Sequence, residues 1–230
     1  MARCFASSGR RVEEGIMASL PPNFDRLVST RHRTLEMIEK VDQEMSDRRP
    51  STSKKLLGEA GTWSIGEILD HILRVYNSLV GEVDHLFDLD AKGECTKVKR
   101  TLKDYDVAPA LIPKSLMSIF EPGFRLANCV SNALLPSSLR ERLLQTRVIP
   151  IQNPTKWLPM SGRGIAELRS ELMSSLSVLE NLLQRDTRNP LEELILSHTV
   201  YGSSSVLELL GLLDVHEAWH HQDLKALAAD

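Results

Sequence analysis

Near the C-terminal end of the sequence stands His216-Glu217-Ala218-Trp219-His220-His221, the stretch with the greatest capacity for chemistry. His216 and His220 are four residues apart, so on a helix they rise one above the other on one face, and two imidazoles so stacked can share a cation. Leu209, Leu212, Leu213 and Leu227 fall within about 60° of the same direction, which places the pair on the buried stripe. A buried imidazole needs partners for both ring nitrogens, and a bound cation would meet that need for the two rings together. His221, about 140° round the helix, is expected at the surface.

Within the same stretch, HEAWH satisfies HExxH, the pattern in which a zinc protease places two ligands around a general base. The context is missing. Ala226 stands where a metzincin has its third histidine and Asp223 where it has glycine, and no sheet is expected beside the helix, so a protease is disfavoured.

A third imidazole comes from the element opposite. Ser64 and Glu67 form a capping box with Trp63 ahead of it, and Ile65, Ile68, Ile72, Val75, Leu79, Val83 and Leu86 make the apolar stripe of a long helix. His71 lies at the border of that stripe, about 80° from its centre. Glu67 is explained by capping, with support of His71 as the alternative.

The remaining elements follow from periodicity. Phe24, Leu27, Val28, Leu35, Ile38, Val41 and Met45 predict one helix reaching about Asp47, and Ile165, Leu168, Leu172, Leu176, Leu179 and Leu183 predict another from about 164 to 185. Ser205 and Glu208 cap a last helix, 205 to 229. Between the second and third helices, residues 88–162 form a long crossover. It holds seven of the 11 prolines, so only short elements are expected, two of them helices near 124–135 and 137–145. A crossover of this length lets the second and third helices run the same way, while short connections make the first and second, and the third and fourth, antiparallel. The expectation is an all-α four-helix bundle, up-down-down-up, in a single domain over 21–230, with residues 1–20 a leader or disordered segment and Met17 an equally sensible start. His71 lies seven residues into its helix and His220 about seven from the end of the last, so at about 1.5 Å per residue the two meet at one depth. A three-histidine site from His71, His216 and His220 follows.

Whole-chain properties narrow the functions. The 230 residues carry a formal charge of −3, with 28 Lys and Arg scattered rather than striped, so no nucleic-acid partner is expected. No apolar run approaches membrane-spanning length. Cys4, Cys95 and Cys129 show no ligand spacing and suit a reducing compartment, with a cytoplasmic location expected. His32 and His85 are expected in solvent, and His198 as a hydrogen-bonding loop residue.

Trp63-Ser64-x-x-Glu67-x-x-x-His71, followed by His198-x-x-x-Gly202 leading into His216-x-x-x-His220, resembles the DinB-like (DNA-damage-inducible) superfamily of four-helix bundles. The resemblance covers about Phe24 to Leu227. It implies the up-down-down-up bundle, often a homodimer, and a divalent metal, commonly nickel or zinc, on the histidines matching His71, His216 and His220. It also implies kinship with transferases that use low-molecular-weight thiols such as bacillithiol or mycothiol. DNA binding is not implied, and the proline-rich insert departs from the family pattern.

With a metal held by three neutral imidazoles, open positions remain for a water or thiol whose pKa the cation lowers, and for a polarised substrate oxygen. Glu217 is the candidate general base, with a surface or packing carboxylate as its alternative, and Asp223 is the candidate to orient His220 or His71. No cysteine lies near these motifs, so an acting thiol would arrive as a cosubstrate. A metal-dependent thiol transferase or hydrolase acting on a small molecule is therefore expected. The alternative is a non-catalytic bundle whose histidines tie helices together.

Overall fold

The structure, a computed structural model, describes residues 20–50, 62–106, 108–109, 114–117, 119–123, 151–198 and 202–228. Residues 1–19, nearly all of the segment 1–20 expected as a leader or disordered stretch, and the expected short helices at 124–135 and 137–145 lie outside the described residues.

Helix α1 spans Pro22–Met37 and a short α2 spans Gln43–Asp47, so the single helix expected to reach Asp47 is broken. The backbone groups freed at the break find partners: the carbonyls of Ile38, Glu39 and Val41 accept from the Arg169 guanidinium. Asp42 then restarts the helix by accepting from the Met45 N–H at 2.9 Å. Ile38 and Val41 in the connection and Met45 on α2 all join one apolar cluster, so the apolar steps continue across the break and periodicity alone reads one helix.

Helix α3, Ile65–Lys92, starts at the Ser64–Glu67 capping box and stops at Gly93, whose φ of 71° is the left-handed conformation that ends helices. Helices α4 (Ile165–Leu183) and α5 (Val206–Ala228) fall within about two residues of the expected bounds. The Ser205–Glu208 box is also formed, with the Ser205 N–H donating to Glu208 at 2.8 Å. No described helix is long and apolar enough to cross a membrane.

The all-α expectation needs a correction. Strands β1 (Lys97–Arg100), β4 (Ile195–His198) and β5 (Gly202–Ser205) form a small sheet in the order β1-β4-β5, and β2 (Ala108–Pro109) pairs antiparallel with β3 (Ile151–Gln152). β1 runs parallel to β4, with Lys97 opposite Ile195, and β4 turns back antiparallel onto β5. Strands of four residues such as KVKR and GSSS carry too little alternation to announce themselves, and β1 finds its partner only across the whole of α4. The protein is mostly helical with this sheet at one side.

Side-chain contacts show how the helices run. Asn23 donates to the Leu207 carbonyl, Thr30 to Asp214 and Thr34 to Glu217, so contacts advance together along α1 and α5. Gly66 lies beside Leu168, Tyr76 donates to the Ser175 carbonyl and Arg185 pairs with Asp88, so they advance together along α3 and α4 as well. Along α1 and α4 they run oppositely, Arg31 reaching Ser175 and Arg169 reaching Ile38.

Two apolar clusters fill the interior. One gathers Phe24, Leu27, Leu79, Val83, Leu179 and Leu209; the other gathers Ile38, Ile68, Ile72, Leu168, Leu172 and Leu224. Each fully buried Leu or Ile contributes about 1.5–3 kcal/mol relative to exposure. Between the clusters, on α1, α4 and α5 alike, the chain places buried polar residues: Arg31, Thr34, Ser175, Glu217, His220 and His221.

Candidate metal centre

His71 on α3 and His216 and His220 on α5 come together as expected. Their ring centroids form a nearly equilateral triangle, 5.1 Å from His71 to His216, 5.2 Å from His71 to His220 and 5.0 Å between the α5 pair. One ligand nitrogen from each lies within 4.8 Å of the others. The Nε2 atoms of His71 and His216 are 3.2 Å apart. Two nitrogens at 2.0–2.1 Å from one tetrahedral cation stand about 3.3 Å apart, so this spacing suits a shared ion.

The outer ring nitrogens fix which lone pairs point inward. His71 Nδ1 is 2.7 Å from the Trp157 carbonyl, which can only accept, so Nδ1 carries the proton. Burial pushes the His71 pKa down to about 4, with the Trp157 carbonyl and Asp70 opposing, so the ring is neutral at pH 7 and its Nε2 keeps a lone pair. His220 Nδ1 lies 3.0 Å from Asp223 Oδ2, an acceptor likewise, so Nδ1 donates there and Nε2 is the nitrogen left for the other rings. Metal-ligating histidines are held this way, the outer N–H given to a carbonyl or carboxylate. Asp223 thus orients His220, one of the two rings proposed for it. His71 and His220 are buried, and His216 is partly exposed.

Trp63 packs its ring 4.9 Å from that of His71, so the residue ahead of the capping box also walls the site. The Trp157 carbonyl is brought there by a contact that periodicity does not signal. Asp70, buried, accepts from Arg74 Nε at 2.6 Å, from Arg163 at 2.9 Å and from the Met160 N–H at 2.6 Å. Burial raises the Asp70 pKa, but these donors outweigh it and hold the carboxyl below its ordinary value. The crossover is thereby pinned to α3 one residue before His71. Glu67 completes its cap and also accepts from Arg49 at 2.5 Å and Ser161 at 2.7 Å; these contacts account for its burial without His71.

Glu217 and His221 require corrections. In place of the expected approach to the metal side, Glu217 is buried against α1, both carboxylate oxygens accepting from Arg31 Nε at 2.8 and 2.9 Å and one from the Thr34 hydroxyl at 2.6 Å. Of its alternatives the packing carboxylate describes this placement, and the HExxH protease geometry, which needs that carboxylate beside the metal, is absent. His221 is buried rather than at the surface, its Nε2 2.9 Å from Thr34 Oγ1. Arg31 escaped the sequence reading although a signal existed: 24, 27, 31, 34 and 38 step by three and four, so Arg31 and Thr34 occupy core positions of α1.

His32 and His85 are exposed, as expected. His198 sits in β4 with Nε2 3.3 Å from the Tyr105 carbonyl, a hydrogen-bonding role outside the three-histidine group, and burial lowers its pKa.

A mostly helical chain with three buried or half-buried imidazoles converging from two helices is a candidate metal-binding protein of the helical class. The sequence profile of the DinB superfamily matches residues 26–224. The chain belongs to that superfamily. No curated protein and no solved structure matches it.

Proposed function

We propose that the protein binds one divalent cation, nickel or zinc, through His71, His216 and His220. On this reading it is an up-down-down-up four-helix bundle, supported by the contacts that advance together along α1 and α5 and along α3 and α4. One observation carries the metal reading: Trp157 and Asp223 take the outer N–H of His71 and His220, so one nitrogen of each ring is left to gather with His216. An inward lone pair is satisfied by a donor or by a cation: His216 Nε2, 3.2 Å from His71 Nε2, can donate to one ring in the metal-free protein, whereas a cation serves all three rings at once.

We further propose that the site serves a metal-dependent transferase using a low-molecular-weight thiol, or a hydrolase. When bound, the cation would supply a Lewis acid able to lower the pKa of a thiol or water and to polarise a substrate oxygen. The chain's own residues hold the geometry: Trp157 and Asp223 fix the rings, Trp63 shields His71, and the partial exposure of His216 marks the approach for a small molecule.

The test is elemental analysis of purified protein grown with trace nickel and zinc, then of His216→Ala. About one metal per chain in the wild type and almost none in the variant is expected. Less than a tenth of an equivalent in the wild type after zinc loading overturns the reading. Turnover of electrophiles with a panel of small thiols by the loaded protein then separates the transferase from a bundle in which metal serves stability alone.

A further inference from the structure

Helix α5 carries two pairs at i and i+4, one residue out of phase: His216 with His220, and Glu217 with His221. One residue is about 100° round a helix, so when one pair faces α3 the other is turned to a different neighbour. That neighbour is α1. Glu217 takes Arg31 Nε on both oxygens and the Thr34 hydroxyl hydrogen on Oε1. With that hydrogen given to Glu217, the His221 Nε2–H donates to Thr34 Oγ1 at 2.9 Å. Arg31, fully buried, also donates through one terminal nitrogen to the Leu172 carbonyl and to Ser175 Oγ, both at 2.7 Å, and lies 4.8 Å over the Tyr76 ring. One side chain of α1 therefore touches α3, α4 and α5 together.

A buried ion pair is an uncertain source of stability, since desolvation offsets the attraction; what it supplies here is geometry. A side-chain tip about 6 Å from a helix axis moves about 2 Å when the helix turns by about 20°, as far as a metal–nitrogen bond is long. Leucine packing tolerates a slip of that size better than a buried ion pair held at 2.8 and 2.9 Å does. We infer that Arg31, through Glu217, is the positioning residue of the metal centre, fixing the rotation of α5 so that His216 and His220 meet His71. The inference rests on the metal reading above, and assigns Glu217 to the scaffold.

The test compares full-length wild type, Arg31→Met/Glu217→Leu and Glu217→Gln, each checked for helicity and cooperative melting. Zinc affinity is measured by chelator competition, and the visible spectrum of the cobalt-loaded protein reports coordination geometry. Folded variants are expected to bind zinc about 10- to 100-fold more weakly, the range seen when supports of metal ligands are removed, with an altered cobalt spectrum. Affinity within about twofold of wild type and an unchanged spectrum in a folded variant overturn the positioning role while leaving the metal site standing. Should the double variant not fold, Glu217→Gln decides by the same two readings. A wild type that takes up neither ion sinks the metal reading itself, and the positioning role with it.

Discussion

His71 Nε2 stands 3.2 Å from His216 Nε2 across 145 residues of sequence, each ring on a different helix. His71 reaches that point with its outer N–H already given to Trp157. The pair is therefore set by three separate pieces of chain, and each can be perturbed alone.

Removing the acceptor behind His220 tests the arrangement without touching a ligand. Asp223→Ala is expected to weaken metal binding about 10- to 100-fold while keeping one site per chain. Isothermal titration with zinc at constant pH measures this, and an affinity equal to wild type would show that Asp223 has no hold on the ring.

The metal-free protein is expected to lose stability on acidification in a defined window. The folded pKa of His71 is lowered to about 4 from 6.5 by burial, so the unfolded chain takes up the proton first. This contribution is fully present above about pH 6.5, falls by at most roughly 1.4 kcal/mol per pH unit for one proton, and is exhausted below about 4. Urea denaturation of chelator-treated protein between pH 7 and 4 measures the slope. His71→Phe, which cannot titrate, should flatten it.

Arg31→Met alone leaves the Glu217 carboxylate buried against an apolar side chain. A loss of about 3–5 kcal/mol is expected, whereas Arg31→Met/Glu217→Leu, which removes both charges, should cost much less. Denaturant midpoints of the two variants check this; equal losses would show that the pair is not coupled.

Capping gives a smaller, local effect. Ser64→Ala removes the acceptor for the Glu67 N–H at the start of α3 and is expected to cost about 1 kcal/mol. Because His71 lies within the first two turns after that cap, hydrogen exchange at residues 65–71 should rise more than at 75–86. Uniform change along α3 would contradict a local role.

Much of this was written in local sequence. Capping boxes at Ser64 and Ser205, apolar steps of three and four, and the spacing of His216 and His220 depend on neighbours within one or two turns, so they fix helix limits and the face of each ring. The meeting of His71 with the α5 pair was also legible, because depth along a helix is a count of residues. Direction at the edge of a stripe was not. Glu217 lies between faces, and only the arrival of Arg31 from α1 decides that it turns away from the imidazoles. The break after Met37, the pairing of β1 with β4 and the Trp157 carbonyl behind His71 were likewise settled by contacts far apart in the chain. Sequence by itself determined which residues could bind a cation and on which helices they stand. Tertiary structure decided which carboxylate and which carbonyl serve them, since a hydrogen bond depends on the partner that packing brings within about 3 Å.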